Sequence, residues 1–313
     1  MPAFSASAPA KIILFGEHAV VYGRPAIAVP VDRVKARAVV SADPRRAPGH
    51  LRILAPDVNF EAVLGDLPED HPLACAVHGV LAALQIFRPP ACTIKITSTI
   101  PVAAGMGSGA AVSVAVIRAL SAFLGRPMPD ERVSALAFEV EKLHHGTPSG
   151  IDNSVVTFAR PVYFVKGQPV ETFHVPRPFT IVIGDTGVTS PTSIAVSDLR
   201  RSWNADQARY EPLFDAIGRI ARSARQSIEI GQPYALGPLM NENQALLVQM
   251  SVSSFELDRL IAAARSAGAL GAKLSGGGRG GNMIALATPE MAAEIARALH
   301  AAGAIRTIVT EIQ

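Results

Sequence analysis

The chain is poor in several residue classes, and each shortage removes a class of protein. Only two of its 313 residues are cysteine, Cys75 and Cys92, both in apolar or strand-like surroundings. They build neither a disulfide scaffold nor a cysteine-ligated metal cluster, and a reducing cytoplasm is the expected location. Charge is scarce and mixed: 29 Lys and Arg are scattered among 26 Asp and Glu for a net +3. Nothing here focuses a field that would hold a nucleic-acid backbone, so no nucleic-acid partner is expected. No stretch reaches the ~18 consecutive apolar residues of a membrane span. The opening MPAFSASAPA has neither a basic flank nor a long apolar run and does not read as a signal peptide. A Walker phosphate loop, GxxxxGK[ST], is missing from both glycine clusters. What is plentiful is apolar material, 49% of residues, which supplies a real core and excludes a disordered scaffold. The length suits two compact regions.

Local patterns place the elements. KIILF (11–15) reads as a buried strand running into the polar turn GEH, and 31–40, where apolar and charged residues alternate, as a half-exposed strand. A proline-punctuated connection with a short LRIL strand occupies about 41–70, followed by a helix over 72–87 and an alternating strand over 92–98. The turn PVAAGMGSG leads into an apolar helix, and a second helix, 130–144, opens with acidic residues where exposed amides favour them. Residues 155–165 read as strand. The proline-marked stretch 170–178 reads as a junction between an N-terminal domain, 1–175, and a C-terminal domain, 176–313. Beyond it, a buried strand at PFTIVIGDTGV precedes helices around 206–229, 233–248 and 253–267. Strands at LGAKL, NMIALA and AIRTIVT and a helix over 289–302 complete the chain. Helices and strands in both halves predict an α/β or α+β protein.

Two glycine clusters and a few charged residues carry the chemistry. Gly105, Gly107 and Gly109 let a backbone approach a ligand closely, and the helix opening near Ser108 points unsatisfied amides into that turn, an arrangement suited to a di- or triphosphate. A tight strand-to-helix turn is the plainer alternative. Residues 275–281 hold five glycines in seven positions, read as a ligand-approach loop against the alternative of a flexible connection. Lys11 is either a snorkelling strand-edge residue or a cation for phosphate or an alcohol oxygen. Glu17 and His18 end a strand, and Glu141 and Asp152 form a second acidic pair: one carboxylate to take a hydroxyl proton, another to hold magnesium. Glu141 and His144 have E-x-x-H spacing, but no second such pair exists for a di-iron centre, and a His144–His145 zinc site lacks a third ligand. The cysteines read as buried fillers, and Trp203 has no assigned role.

Four segments resemble the mevalonate kinases of the GHMP kinase superfamily: KIILFGEHAVVYG (11–23), PVAAGMGSGAA (101–111), HGTPSGIDN (145–153) and KLSGGGRGG (273–281). The resemblance implies an α+β, two-lobed fold, with a mixed-sheet N-terminal lobe, an α/β C-terminal lobe and the active site in the cleft between them. It implies ATP-dependent phosphorylation of the primary alcohol of mevalonate, with Mg²⁺ and no membrane partner. Asp152 would accept the hydroxyl proton, with Lys11 beside it and the attacking oxygen. Glu17, His18 and Thr186 would border the substrate. Ala104, Gly105, Met106, Gly107, Ser108, Gly109, Ala110, Gly277 and Gly278 would hold the nucleotide, and Glu141 and Ser108 the metal. Relatives commonly form homodimers. Another small-molecule kinase of the superfamily, for a sugar or phosphomevalonate, and a non-catalytic ligand sensor are the rival readings. Three departures stand out: Gly109 replaces a serine that helps bind magnesium, Met106 replaces a leucine, and Ser193 and Ile194 follow GDTGVTSPT where relatives carry a lysine.

Overall fold

Burial follows the apolar pattern closely enough to explain most elements. The structure is a computed structural model. It describes residues 3–101, 104–145, 149–189 and 192–313, except the side chains of His144 and His145. The turn residues Gly146, Thr147 and Pro148, the side chains of the His144–His145 pair, for which the sequence offers no third zinc ligand, and the Ser190–Pro191 part of the substrate-side loop therefore lie outside the described residues. The chain packs as two units: 1–10, 34–101 and 107–159 form one, and 11–33, 102–106 and 160–313 the other. These units interleave along the chain and differ from a contiguous division near residue 175. The last change of unit falls at 159/160, because the proline-rich stretch that suggested a junction carries a strand and packs with the C-terminal elements.

Strands β1 (Ala3–Phe15) and β2 (Ala26–Ala42) have residues in both units. In the first unit β2 pairs antiparallel with β5 (Cys92–Ser98), Ala36 opposite Ser98 through Ala42 opposite Cys92. β3 (Leu51–Ala55) runs parallel to β5 and antiparallel to β4 (Phe60–Val63). The alternating burial of β2 from residue 33 onward is that of a strand with one wet face. Helices α1 (Pro72–Ala83), α2 (Ser108–Phe123) and α3 (Asp130–His145) pack on one another, and α4 (Ile151–Phe158) packs on α2 and α3. α2 is buried through Ala110, Ala111, Val114, Val116, Ile117 and Leu120, which explains its apolar sequence. The expected strand at 155–165 is helical as far as Phe158. Val155, Val156 and Thr157 favour strand locally, but all three are buried in helical register between left-handed residues Gly150 and Ala159. α1 stops at Ala83 instead of 87, and Gln85 takes a left-handed φ of 56°.

In the second unit Ala26–Ala28 of β2 pair with β6 (Val162–Phe164), which pairs with β7 (Glu171–Thr172). A separate four-stranded antiparallel sheet has the order β11-β8-β10-β9, from β8 (Phe179–Asp185), β9 (Gly271–Ser275), β10 (Asn282–Ala287) and β11 (Arg306–Ile312). Every residue of β8, β9 and β10 is buried. α5 (Thr192–Ala205), a helix that its serine-rich, polar sequence conceals, packs on α6 (Gln207–Glu229), and α6 on α7 (Leu236–Gln249). α8 (Phe255–Ser266) and α9 (Ala292–Ala301) cover the sheet. Tyr22 stacks on Phe214 at 4.1 Å and meets Trp203 at 5.1 Å, which gives the lone tryptophan its place: its Nε1 donates to Glu211 at 2.8 Å. Among the described residues no helix is long and apolar enough to cross a membrane.

Gly237 of α7 and Gly271 of β9 face each other so closely that a Cβ on Gly271 would overlap the Gly237 carbonyl. Gly271→Ala is therefore expected to cost about 1–3 kcal/mol in urea unfolding. Gly65→Ala, where nothing lies within 4 Å, should change stability by less than about 0.5 kcal/mol.

Candidate active site

The second unit brings β1, the turn after it and the glycine loop into one hydrogen-bonded body. The Ser275 hydroxyl accepts from Ile13 N at 3.1 Å and donates to Ile13 O at 2.8 Å, tying β1 to the end of β9. Two residues before it, Lys273 pairs with Glu17, and neither side chain has any accessible surface. Lys273 also donates to Leu274 O at 2.6 Å. Burial pushes the Glu17 carboxyl above the ordinary carboxylate range and the Lys273 ammonium below the ordinary lysine value, each opposed by attraction to the other. With or without proton transfer, the pair carries no net charge. His18 Nε2 lies 3.0 Å from Gly277 O. A carbonyl only accepts, so Nε2 carries the proton and Nδ1 is left as an acceptor. Burial lowers the His18 pKa to about 4, with Arg279 and Lys273 adding like-charge repulsion, so the ring is neutral at pH 7.

The loop between β9 and β10 owes much of its glycine content to packing. A Cβ on Gly278 would overlap Val252 O, one on Gly280 would press Val188, and one on Gly277 would lie 2.8 Å from Thr192 Oγ1. Only Gly276 and Gly281 have room on that side: nothing lies within 4 Å of the former, and Ala104 O lies 3.8 Å from the latter. Arg279 occupies a left-handed φ of 57° and pairs with Asp198 of α5, so the loop is clamped to that helix. Thr186 N and Oγ1 both donate to Gly281 O at 2.9 Å, and Oγ1 accepts from Val188 N at 3.2 Å. Its hydroxyl thus braces the loop. Asn282 donates to Ala104 O, and Lys11 N to Met106 O at 3.0 Å, which fixes 104–106 between β1 and β10. Lys11 itself is buried.

In the first unit the expected residues sit at the ends of three mutually packed helices. Ser108 is the first residue of α2, behind Gly107 in the left-handed conformation, so the open amides of that turn face outward from a buried helix. Gly109 is exposed and Ala110 buried. Glu141 lies near the C-terminal end of α3 and is buried; Asp152 is in the first turn of α4 and half-buried. A Cβ built on Gly109 would lie 3.7 Å from Glu141 Oε1, so the carboxylate faces the position from which the hydroxyl is missing. No cluster of three or more His, Cys, Asp or Glu stands ready as a metal cage among the described residues. One buried carboxylate and one hydroxyl still suit a hard cation that keeps waters and takes its other ligands from phosphate oxygens.

Sequence reasoning named Lys11, Glu17, His18, Thr186, 104–106, Gly277 and Gly278, and the second unit joins them through Lys273, Ser275, Arg279 and Asn282, which it passed over. Lys273 had a readable signal: it stands inside the buried strand GAKLS, where a cation needs a partner. Cys92 is buried with its thiol pushed up to about 12, and Cys75 is half-buried, in keeping with packing roles.

The profile of the GHMP kinases N terminal domain matches residues 73–160, and that of the GHMP kinases C terminal domain residues 216–305. A curated mevalonate kinase of Thermococcus sibiricus is 39% identical over 325 aligned positions, covering 98% of this chain and 95% of the relative. That of Pyrococcus horikoshii is 37% identical, covering 97% and 94%. Among solved structures, L. major mevalonate kinase in complex with R-mevalonate superposes with a TM-score of 0.85 at 28% identity, covering 99% of this chain and 95% of that one. The Methanococcus jannaschii mevalonate kinase shares the fold, with a TM-score of 0.87 at 23% identity over 100% and 99% of the two chains.

The lowered pKa of His18 has a measurable sign. Its folded value, about 4, lies below the unfolded 6.5, so the unfolded state binds more protons between these limits. Stability from this group is complete above pH 6.5 and falls as pH drops towards 4, by up to about 1.4 kcal/mol per pH unit. Urea melts of the protein and of His18→Gln across that window should differ by this slope.

Proposed function

The chain belongs to the mevalonate kinases of the GHMP kinase family, and from that premise we propose that it transfers the γ-phosphoryl group of ATP to the primary 5-hydroxyl of (R)-mevalonate, giving 5-phosphomevalonate and ADP. The observation that carries this reading is the 39% identity to a curated mevalonate kinase over nearly the whole of both chains.

In the proposed reaction Asp152 takes the proton of the 5-hydroxyl as that oxygen bonds to the γ-phosphorus, and the bond from γ-phosphorus to the bridging oxygen of ADP breaks. Lys11 stabilises negative charge on the attacking oxygen and the phosphoryl group. The amides of 105–110 and the Ser108 hydroxyl cradle the phosphates, with Gly277 and Gly278 on the glycine loop. His18 offers Nδ1 to a substrate hydroxyl, a role its Nε2–Gly277 bond supports by fixing the tautomer. Glu17, wholly buried, supports the substrate side through its pairing, and Thr186 through its bonds to the loop. Glu141 and Ser108 would hold Mg²⁺, which supplies charge neutralisation on the phosphate oxygens. The free cysteines agree with a reducing cytoplasm, and a homodimer is the assembly we propose from the family resemblance.

Purified protein with Mg-ATP should release ADP with mevalonate and not with galactose or phosphomevalonate. Asp152→Asn should lower kcat by about 10³-fold or more while ATP binding persists. Turnover by Asp152→Asn at the parent rate would remove the assigned proton acceptor. ATP binding without turnover on any of the three acceptors would favour the sensor reading. A second test uses Gly109. Because a Cβ at Gly109 would meet Glu141 Oε1 at 3.7 Å, an ordinary contact distance, Gly109→Ser should fold normally and tighten Mg²⁺ binding to the ADP complex about three- to tenfold by calorimetric titration. An unchanged affinity would show that the missing hydroxyl is of no consequence to the ion.

A further inference from the structure

The peptide at His18 has a conformation that needs a cause. Its φ of 61° and ψ of −48°, with Ala19 N donating to Glu17 O at 2.6 Å, make a three-residue γ-turn of the positive-φ kind. That turn is rare and strained, and more so with a side chain at its centre. Such a conformation persists only where its surroundings over-determine it. On the N-terminal side Gly16 lies at φ 97°, and a Cβ there would overlap Ala26, so the chain is wedged against the start of β2. On the C-terminal side Val20 N and Val21 N donate to Gly16 O at 3.1 Å and His18 O at 3.0 Å. The remaining restraints come from β9 and its loop: Lys273 on Glu17, and Gly277 O on the imidazole. Lys273 is itself fixed by Leu274 O and lies 6.0 Å over the Phe15 ring. The second oxygen of Glu17 has no hydrogen-bond partner, so beyond its own backbone amide the carboxylate is oriented chiefly by its contact with Lys273.

We propose that Lys273 is a positioning residue for the recognition turn: by clamping Glu17 from β9 it holds the strained γ-turn at His18 and so aims the imidazole at the substrate. The claim rests on the reading that His18 meets mevalonate, and it goes further in giving a role to a residue that touches neither substrate nor nucleotide. A pair that merely stabilised the fold would shift the melting temperature and leave the His18 ring on Gly277 O, its pKa rising only by the lost repulsion of Lys273 and staying well below 6.5 because burial is the larger cause.

The test uses Lys273→Met and the double variant Glu17→Gln/Lys273→Met in the full chain. The double variant leaves no unpaired buried charge and keeps the assay alive where the single variant fails to fold. Ring NMR of ¹⁵N-histidine-labelled protein, with the His18 signal assigned through His18→Gln, reads the turn without substrate. In the parent protein the His18 pKa, pushed down by burial and by Arg279 and Lys273, should read about 4. In the folded variants the ring should leave Gly277 and titrate near 6.5. The mevalonate KM should rise about tenfold with kcat and the ATP KM within about threefold, the pattern of lost ground-state binding. A folded double variant whose His18 still titrates well below 6.5, or whose released His18 leaves the mevalonate KM within about twofold, overturns the proposal. Should the parent protein not turn over mevalonate, the functional reading falls, and the NMR titration alone decides whether Lys273 holds the turn.

Discussion

Glu17 and Lys273 are the constraint around which the second unit is organised. Removing two such charges from water costs several kcal/mol for each ion, and their mutual approach, with the Lys273 bond to Leu274 O, offsets it. They come from positions 256 residues apart, so the offset exists only when β1, the turn after it and β9 are all in place. The contacts around the pair repeat this geometry with neutral groups: Ser275 on Ile13, His18 on Gly277 and Asn282 on Ala104. A buried pair of this kind contributes little net stability by comparison with a well-packed apolar core. Its value lies in discrimination, because any misregistered approach of the two segments leaves a charge stranded.

The first unit presents its polar groups by another device. There the scaffold is a cluster of helices rich in small residues, and the proposed active-site groups sit at helix ends, Ser108 and Asp152 where backbone amides lack intrahelical partners and Glu141 at the opposite, carbonyl end. Ser108, Glu141 and Asp152 are carried by three helices that pack on one another, so their separation is governed by side-chain volume at positions such as Ala110, Val140 and Val155. Strand-borne groups in one unit are fixed by hydrogen bonds, and helix-borne groups in the other by packing. The two sets of groups therefore respond to different kinds of substitution.

Much of this was legible in the sequence. Strand 92–98, the apolar helix after the first glycine turn and the last three strands stand where periodicity puts them, because each is long enough for burial to dominate its pattern. The misread stretches are those where context outweighs local preference. Val155–Thr157 are β-branched yet helical, since α2 and α3 offer a surface for a helix. α5 looks polar because much of its surface is wet, with Ala195 and Leu199 as its buried residues. The glycine loop is legible as a close-approach loop, but that Val252, Val188 and Thr192 also press on three of its glycines is not. Local patterns report burial and turn chemistry well, but they carry no information on which distant backbone will press against a given residue. The need of Lys273 for a partner is legible inside a buried strand, but the identity of that partner, Glu17 at the far end of the chain, is not.

The interleaving of the two units bears on how the protein is made. The chain changes unit at 10/11, 33/34, 101/102, 106/107 and 159/160. Residues 11–33 are synthesised well before Lys273, Ser275 and Gly277, which secure them from positions 256, 262 and 259 residues further along the chain. At a translation rate of about 5–20 residues per second, the apolar segment KIILF waits on the order of ten seconds or more for its partners. The first unit, whose residues end at 159, has its whole sequence available well before that. The nascent chain thus carries a hydrophobic strand without its β9 contacts throughout that interval, in which holdase protection or slowed elongation would govern yield without altering a single contact in the finished enzyme.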